Sequence, residues 1–229
     1  AHGLKPHQTM TKFRTIVEDG LFLDLLDNDK VFPLAWDILG WNIQHYISHL
    51  IVYPPEAERS EVNLGSWHQD NGRPVREMER PHPRSSYKVS FWFSDTRVPN
   101  SGAMRIIPGS HRFDEKPSQE AFDQPLHVEV APRTAVLFDR RLWHARSVNT
   151  SDVTRKVIFI GYSYRWLRGL DYNNFPEEIL AQCDPIRRQL MGDGVDVKGW
   201  WQPTDADVPL KTWIETHRGK RHLVDISGL

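Results

Sequence analysis

The apolar and polar positions change period along the chain, and the changes divide it into three stretches. In FRTIVEDGLFLDLLDN, the residues Phe13, Ile16, Val17, Leu21, Leu25 and Leu26 recur close to every 3.6 positions, which predicts a helix that stops at Asp27-Asn28-Asp29. A second helix is expected from Asp29 to about Leu39, with Phe32, Trp36 and Leu39 on one side and Pro33 in its first turn. From Ile43 the period becomes that of a strand, through IQHYISHLIVY, until Pro54-Pro55 ends it.

The middle of the chain alternates. Polar, turn-rich EAERSEVNLG leads into SWHQDNGRP, and the proline-rich stretch 73–86 has no clean period, so it reads as a long loop. YKVSFWFSD at 87–95 sets Val89, Phe91 and Phe93 against Ser90, Trp92 and Ser94, the pattern of a strand with both faces in use. VPNSGAMRIIPGSHR reads as turn, short strand, turn, with Asn100-Ser101-Gly102 and Pro108-Gly109 as the turns, and further strands are expected near 127–130, 134–138, 143–148 and 155–164. Many short strands with Gly/Pro turns indicate an antiparallel sandwich or barrel, so the fold class is mainly β with flanking α-helices. The third stretch, from about Gly169, has a helix-like EEILAQCDPIRRQLMG and then a polar, loop-like end with Trp200, Trp201 and Trp213 as anchors. No linker, repeat or low-complexity tract interrupts residues 1–229, which implies a single domain.

Composition narrows the functional classes. Lys plus Arg total 29 and Asp plus Glu total 30, a formal charge of -1, so no overall field draws the protein to nucleic acid or acidic lipid. Apolar runs such as Val157–Ile160 are far shorter than a membrane span. The single cysteine, Cys183, excludes an internal disulfide and a thiolate metal cluster and is consistent with a reducing, cytoplasmic location. The first residues hold neither an apolar signal core nor an initiator Met, so the chain is expected to begin inside a longer product and to lack an N-terminal extension.

The sharpest chemical feature is His68-Gln69-Asp70. In an extended chain, positions i and i+2 point to the same side, so an imidazole and a carboxylate can converge there. His144, in LFDRRLWHARSVN, is the best-placed third ligand for a 2-His-1-carboxylate face, which suits Fe(II) and leaves open positions. Each part has a plainer reading: chance spacing for His68 and Asp70, and a hydrogen-bonded, half-buried histidine for His144. Arg155 heads the row Val157, Phe159, Gly161 and therefore points into the sheet interior, where its fork of donors would grip a carboxylate; the alternative is a salt bridge to Asp139 or Asp152. Arginines 73, 76, 80 and 84 suit either an anionic ligand or solvated surface.

HQD at 68–70, FWFSD with Trp92, NSGAMRIIPGSH at 100–111, His144 followed by RSVNTS, and Arg155 together resemble the phytanoyl-CoA dioxygenase family, over about residues 45–165. The resemblance implies a double-stranded β-helix, a jelly-roll core of the cupin type, and a non-haem Fe(II)- and 2-oxoglutarate-dependent oxygenase. On this likeness His68, Asp70 and His144 are the metal and catalytic residues, and Arg155 anchors the C5 carboxylate of 2-oxoglutarate. Trp92 lines the cosubstrate pocket or the core, Ser147 contacts the cosubstrate, Gly102 and Gly109 serve backbone geometry, and His111 is structural. The position two after the distal histidine, often small or hydroxylic in the family, is Arg146 here.

The expected reaction uses O2 to hydroxylate an unactivated C–H of a small molecule, anionic if the loop arginines face inward, with release of succinate and CO2. Asp70 argues against halogenation, because halogenating relatives carry a small residue there. Desaturation, epimerisation or cyclisation could follow the same hydrogen abstraction. Two other classes remain open at this stage: a non-catalytic jelly-roll module binding a small anion, and a metal-dependent hydrolase using the same three ligands.

Overall fold

A computed structural model describes residues 7–56, 67–70, 79–172, 174–194, 198–199 and 202–218. Arg73, Arg76, Trp200 and Trp201 lie outside the described residues. Eight strands are described: β1 (Met10–Phe13), β2 (Ile43–Tyr53), β3 (Ser86–Trp92), β4 (Met104–Ile106), β5 (Leu126–Val128), β6 (Thr134–Asp139), β7 (His144–Arg146) and β8 (Arg155–Tyr164). They form two antiparallel sheets, one of five strands in the order β1-β2-β8-β3-β6 and one of three in the order β5-β4-β7. In the smaller sheet Ile106 is paired with Leu126 on one side and His144 on the other.

The backbone contacts divide the chain into two compact units. The first comprises residues 1–12, 49–84 and 88–159. Its core is Trp92, Met104, Phe138, Leu142, Val157 and Phe159, each buried, with Ile51, Val128 and Val136 packed against them. Burying a side chain of this size contributes about 1.5–3 kcal/mol. The alternation read from the sequence explains why the core forms here: Val157 and Phe159 share one face of β8, and Arg155 shares it too. β3 ends earlier than its pattern suggests. The Phe93 amide still bonds the Lys156 carbonyl at 3.0 Å, but the Phe93 ring is exposed rather than part of the Val89–Phe91 row.

The second unit comprises residues 13–48, 85–87 and 160–229. The helix expected over 13–26 is not continuous. Arg14 takes a left-handed backbone (φ 63°), its amide and that of Thr15 bond Ser48, and only a short α1 (Gly20–Leu23) forms, capped by Asp19. α2 (Phe32–Leu39) is present with Pro33 in its first turn, and Gly40 at φ 82° ends it. After α3 (Gln119–Asp123) of the first unit, the helix-like tail segment is split by Asp184-Pro185 into α4 (Glu177–Leu180) and α5 (Pro185–Leu190). The stretch read as loop holds a further helix, α6 (Pro209–Arg218), whose Leu210 and Ile214 are one turn apart and buried. Trp213 of α6 is an anchor as expected, 5.4 Å from the Trp36 ring of α2. No helix among the described residues is long and apolar enough to cross a membrane.

Candidate metal centre

His68 and His144 are joined through their backbones. Each donates its amide to the other's carbonyl at 3.0 Å, an isolated antiparallel bridge that sets the two rings 4.3 Å apart. Two residues on, the Asp70 amide bonds the Arg140 carbonyl at 2.9 Å, and the Arg140 guanidinium returns a bond to the Asp70 carbonyl at 3.0 Å. Between them Gln69 points the other way and donates to the Arg141 carbonyl. The i, i+2 geometry read from the sequence is therefore present, locked on both sides by the chain around β7.

The three side chains offer one ligand atom each, all within 4.8 Å of one another. His68 Nε2 lies 3.8 Å from Asp70 Oδ1, and His144 Nε2 lies 3.7 Å from Asp70 Oδ2. His144 is buried, with its Nδ1 2.8 Å from the Leu142 carbonyl; only an N–H can bond that oxygen, so Nε2 carries the free lone pair. Phe138 holds the ring edge-on at 5.2 Å. Burial pushes the His144 imidazolium down to about 4 against the pull of Asp70, so the ring is neutral at pH 7. Burial works to raise the Asp70 carboxyl, but Lys88, His144 and Arg140 outweigh it and hold Asp70 ionised, well below the usual carboxylate range. Two imidazoles and a carboxylate converging on one point fit a single divalent ion.

Lys88 went unrecognised in the sequence. Its stem alternates onto the inward face of β3, its side chain is buried, and its Nζ donates to Asp70 Oδ2 at 2.8 Å. The signal available was a lysine in the same row as Ser86, Ser90 and Trp92, inside an otherwise uncharged strand.

The ligand set opens into a cavity of about 250 Å³ lined by residues of the first unit, among them His49, Ile51, Met104, Phe159, Lys88, Arg146 and Arg155. Arg155 enters it as expected and is buried, with its guanidinium carbon 4.9 Å from the Trp92 ring centroid. The salt bridges offered as its alternative role do not form. Asp139 bonds Arg141 at 2.7 Å and Arg84 at 3.2 Å, and Arg155 has no carboxylate partner among the described residues. Burial, and then Arg146, lowers the Arg155 guanidinium to about 9. A buried cation without a counter-charge among the described residues, in the cavity that holds a metal face, fits an acidic ligand.

Other expected residues fall elsewhere. Trp92 does not line the cavity: it is fully buried in the core and donates its indole N–H to Ser90 Oγ at 3.0 Å, serving as the platform under Arg155. Ser147 does not line it either, because its hydroxyl donates to the Ala103 carbonyl at 2.6 Å; Arg146 takes the inward position. Gly102 has φ +81°, and a Cβ there would lie 2.9 Å from Arg155 Cδ and 3.2 Å from Tyr53 Cδ1, so both its backbone and the close approach of Arg155 require glycine. His111 sits in a turn away from the cavity. Of the loop arginines, Arg84 pairs with Asp139 and Arg80 is exposed.

Comparison with known proteins matches residues 5–157 to the family described as phytanoyl-CoA dioxygenase (PhyH). Curated relatives include dioxygenase cdmD of Talaromyces verruculosus, 24% identical over 177 residues, 74% of this chain and 56% of that protein. Another is the probable alpha-ketoglutarate-dependent hypophosphite dioxygenase of Stutzerimonas stutzeri, 25% identical over 69% of this chain and 60% of that protein. The chain thus spans less than two-thirds of the length of these relatives. Among solved structures, HygX from Streptomyces hygroscopicus with nickel and 2-oxoglutarate bound superposes with a TM-score of 0.58 at 14% identity, over 74% of each chain. EctD from S. alaskensis in its apo form gives 0.56 at 21% identity, over 71% of this chain and 61% of that one. These superpositions indicate a shared fold.

Proposed function

Since the chain belongs to the phytanoyl-CoA dioxygenase family, we propose that it is a non-haem Fe(II)- and 2-oxoglutarate-dependent dioxygenase on a double-stranded β-helix core. It hydroxylates an unactivated C–H of a small molecule and releases succinate and CO2. The observation that carries this reading is the convergence of His68, Asp70 and His144 in one cavity with the buried guanidinium of Arg155, which has no carboxylate partner among the described residues. The nickel- and 2-oxoglutarate-bound neighbour and the alpha-ketoglutarate-dependent relative favour the same cosubstrate.

His68 and His144, through Nε2, and Asp70, through a carboxylate oxygen, would hold the iron. When bound, iron and 2-oxoglutarate supply the oxygen activation that no amino-acid side chain can perform. The chain's share is positional. The His68–His144 bridge presets the ligand face, and the Leu142 carbonyl keeps the His144 proton on Nδ1 so that Nε2 stays available. Arg155 would take the distal carboxylate of the cosubstrate through its fork of donors, steadied by Trp92. Ile51, Met104 and Phe159 give the cavity apolar walls that limit water at the reacting centre.

Arg155 would have no task in a hydrolase using the same ligands, which is why the oxygenase is preferred. The test is succinate release by the purified protein with a broad panel of small molecules, acidic and neutral. Release that requires Fe(II), 2-oxoglutarate, O2 and a panel member, and is abolished by Asp70→Ala, supports the proposal; no metal-dependent release with any of them contradicts it. Product mass, raised by one oxygen atom or lowered by two hydrogens, separates hydroxylation from desaturation.

A further inference from the structure

The cavity receives two guanidiniums. Arg146 follows His144 by two positions on β7, so both side chains leave the same face of that strand, and Arg146 lines the cavity together with Arg155 of β8. Each cation lies over an aromatic ring: Arg146 Cζ is 3.7 Å from the centroid of Tyr53, and Arg155 Cζ is 4.9 Å from that of Trp92. Gly102 lies between their supports, where one added carbon would touch both the Arg155 stem and the Tyr53 ring on which Arg146 lies.

The charges around them do not balance. Lys88, the third cation of the lining, is paired with Asp70. Glu56, which accepts the Tyr53 hydroxyl, attracts Arg146. Arg155 has no carboxylate among the described residues, and its proximity to Arg146 weakens its hold on its own proton. Two like charges in a poorly solvated pocket repel unless an anion sits between them. A carboxylate has two oxygens and about four lone-pair sites, enough to accept from two guanidiniums at once. The neighbouring hydroxyl, Ser147, is engaged with Ala103 and turned away.

We propose that Arg146 and Arg155 clamp the distal carboxylate of 2-oxoglutarate between them, which makes Arg146 a specificity residue for dicarboxylic over monocarboxylic 2-oxo acids. This rests on the oxygenase reading of the same site. It assigns the cosubstrate two charged forks and leaves Tyr53, Glu56 and Gly102 as the parts that position the second.

The test is calorimetric binding of 2-oxoglutarate and of pyruvate, which lacks the distal carboxylate, to the full chain loaded with redox-inert Mn(II). Arg146→Met keeps an unbranched stem on Tyr53 and removes the charge. It is expected to weaken 2-oxoglutarate binding by tenfold or more and to leave pyruvate within twofold. Unchanged 2-oxoglutarate binding, or an equal loss for both acids, overturns the proposal. Should circular dichroism show that this variant does not fold, Arg146→Lys decides: it keeps a cation but not the fork, and a selective loss of threefold or more is expected, while none overturns the clamp. Arg155→Met separates this inference from the one beneath it. If it destroys 2-oxoglutarate binding while Arg146→Met has no effect, the clamp fails and the oxygenase reading stands; if the unaltered protein binds no 2-oxoglutarate, both fail.

Discussion

His68 and His144 stand 76 positions apart and exchange both of their backbone hydrogen bonds at 3.0 Å, so the ligand face is built by the chain itself. The ligands then separate by what else they hold together. His68 has a side chain 53% exposed, whereas that of His144 is 9% exposed and hydrogen-bonded. His68→Ala is therefore expected to change stability by less than about 0.5 kcal/mol and His144→Ala to cost about 1–3 kcal/mol, while each lowers Mn(II) affinity at least a hundredfold. Urea unfolding and metal titration of the two variants check this; equal stability losses would contradict it.

Lys88 and Asp70 form a buried ion pair at 2.8 Å inside the ligand set. Removing Lys88 leaves the largely buried Asp70 carboxylate with Arg140 as its remaining cation, which costs about 1–3 kcal/mol. Lys88→Met should lose about that much in the metal-free protein and regain most of it when Mn(II) is added, because the ion supplies the missing charge. A variant whose unfolding midpoint does not respond to Mn(II) more strongly than that of the unaltered protein would refute this coupling.

The buried imidazole of His144 gives the metal-free protein an acid-side dependence. It titrates near 4 in the folded chain against an ordinary value of 6.5, so between those values the unfolded chain binds the extra proton. Its contribution is fully present above about pH 6.5 and is lost as pH falls toward 4, amounting to about 2–3 kcal/mol. Asp70, shifted the same way, adds a further loss at still lower pH. Urea unfolding at pH 7 and pH 5 should show a smaller decline for His144→Gln than for the unaltered protein; parallel declines would contradict the assignment.

Gly102 carries two constraints at once, a left-handed backbone and the stem of Arg155 at contact distance. Gly102→Ala is expected to destabilise the fold by about 1–2 kcal/mol from the backbone alone and to weaken 2-oxoglutarate binding by displacing Arg155. Calorimetry with pyruvate as the control reads the second effect, which a purely structural cost would not make selective.

Much of this site was legible in the sequence because its parts obey local rules. The i, i+2 spacing placed His68 and Asp70 on one side, and the alternation from Arg155 to Tyr164 put the guanidinium on the core-facing row. What alternation could not show was the competition for hydroxyls and cations once strands pair. Ser147 is taken by Ala103, and Lys88 is drawn inward by Asp70, both through partners distant in sequence. The same limit explains the helices. The apolar spacing at 13–26 is genuine, and Ile16 and Leu26 are buried, but Arg14 and Thr15 bond Ser48, and only a 3-10 turn over Thr15–Val17 forms before α1. In α6 the apolar face is only Leu210, Trp213 and Ile214, too sparse to stand out among polar neighbours until packing is seen.

The most direct measurement is anomalous diffraction at the iron edge from crystals grown without oxygen, with Fe(II) and 2-oxoglutarate present. The expected result is one iron peak within bonding distance of His68 Nε2, Asp70 and His144 Nε2, with the distal carboxylate of 2-oxoglutarate on Arg155. Iron bound elsewhere, or a cosubstrate carboxylate that leaves Arg155 without an anion, would contradict it.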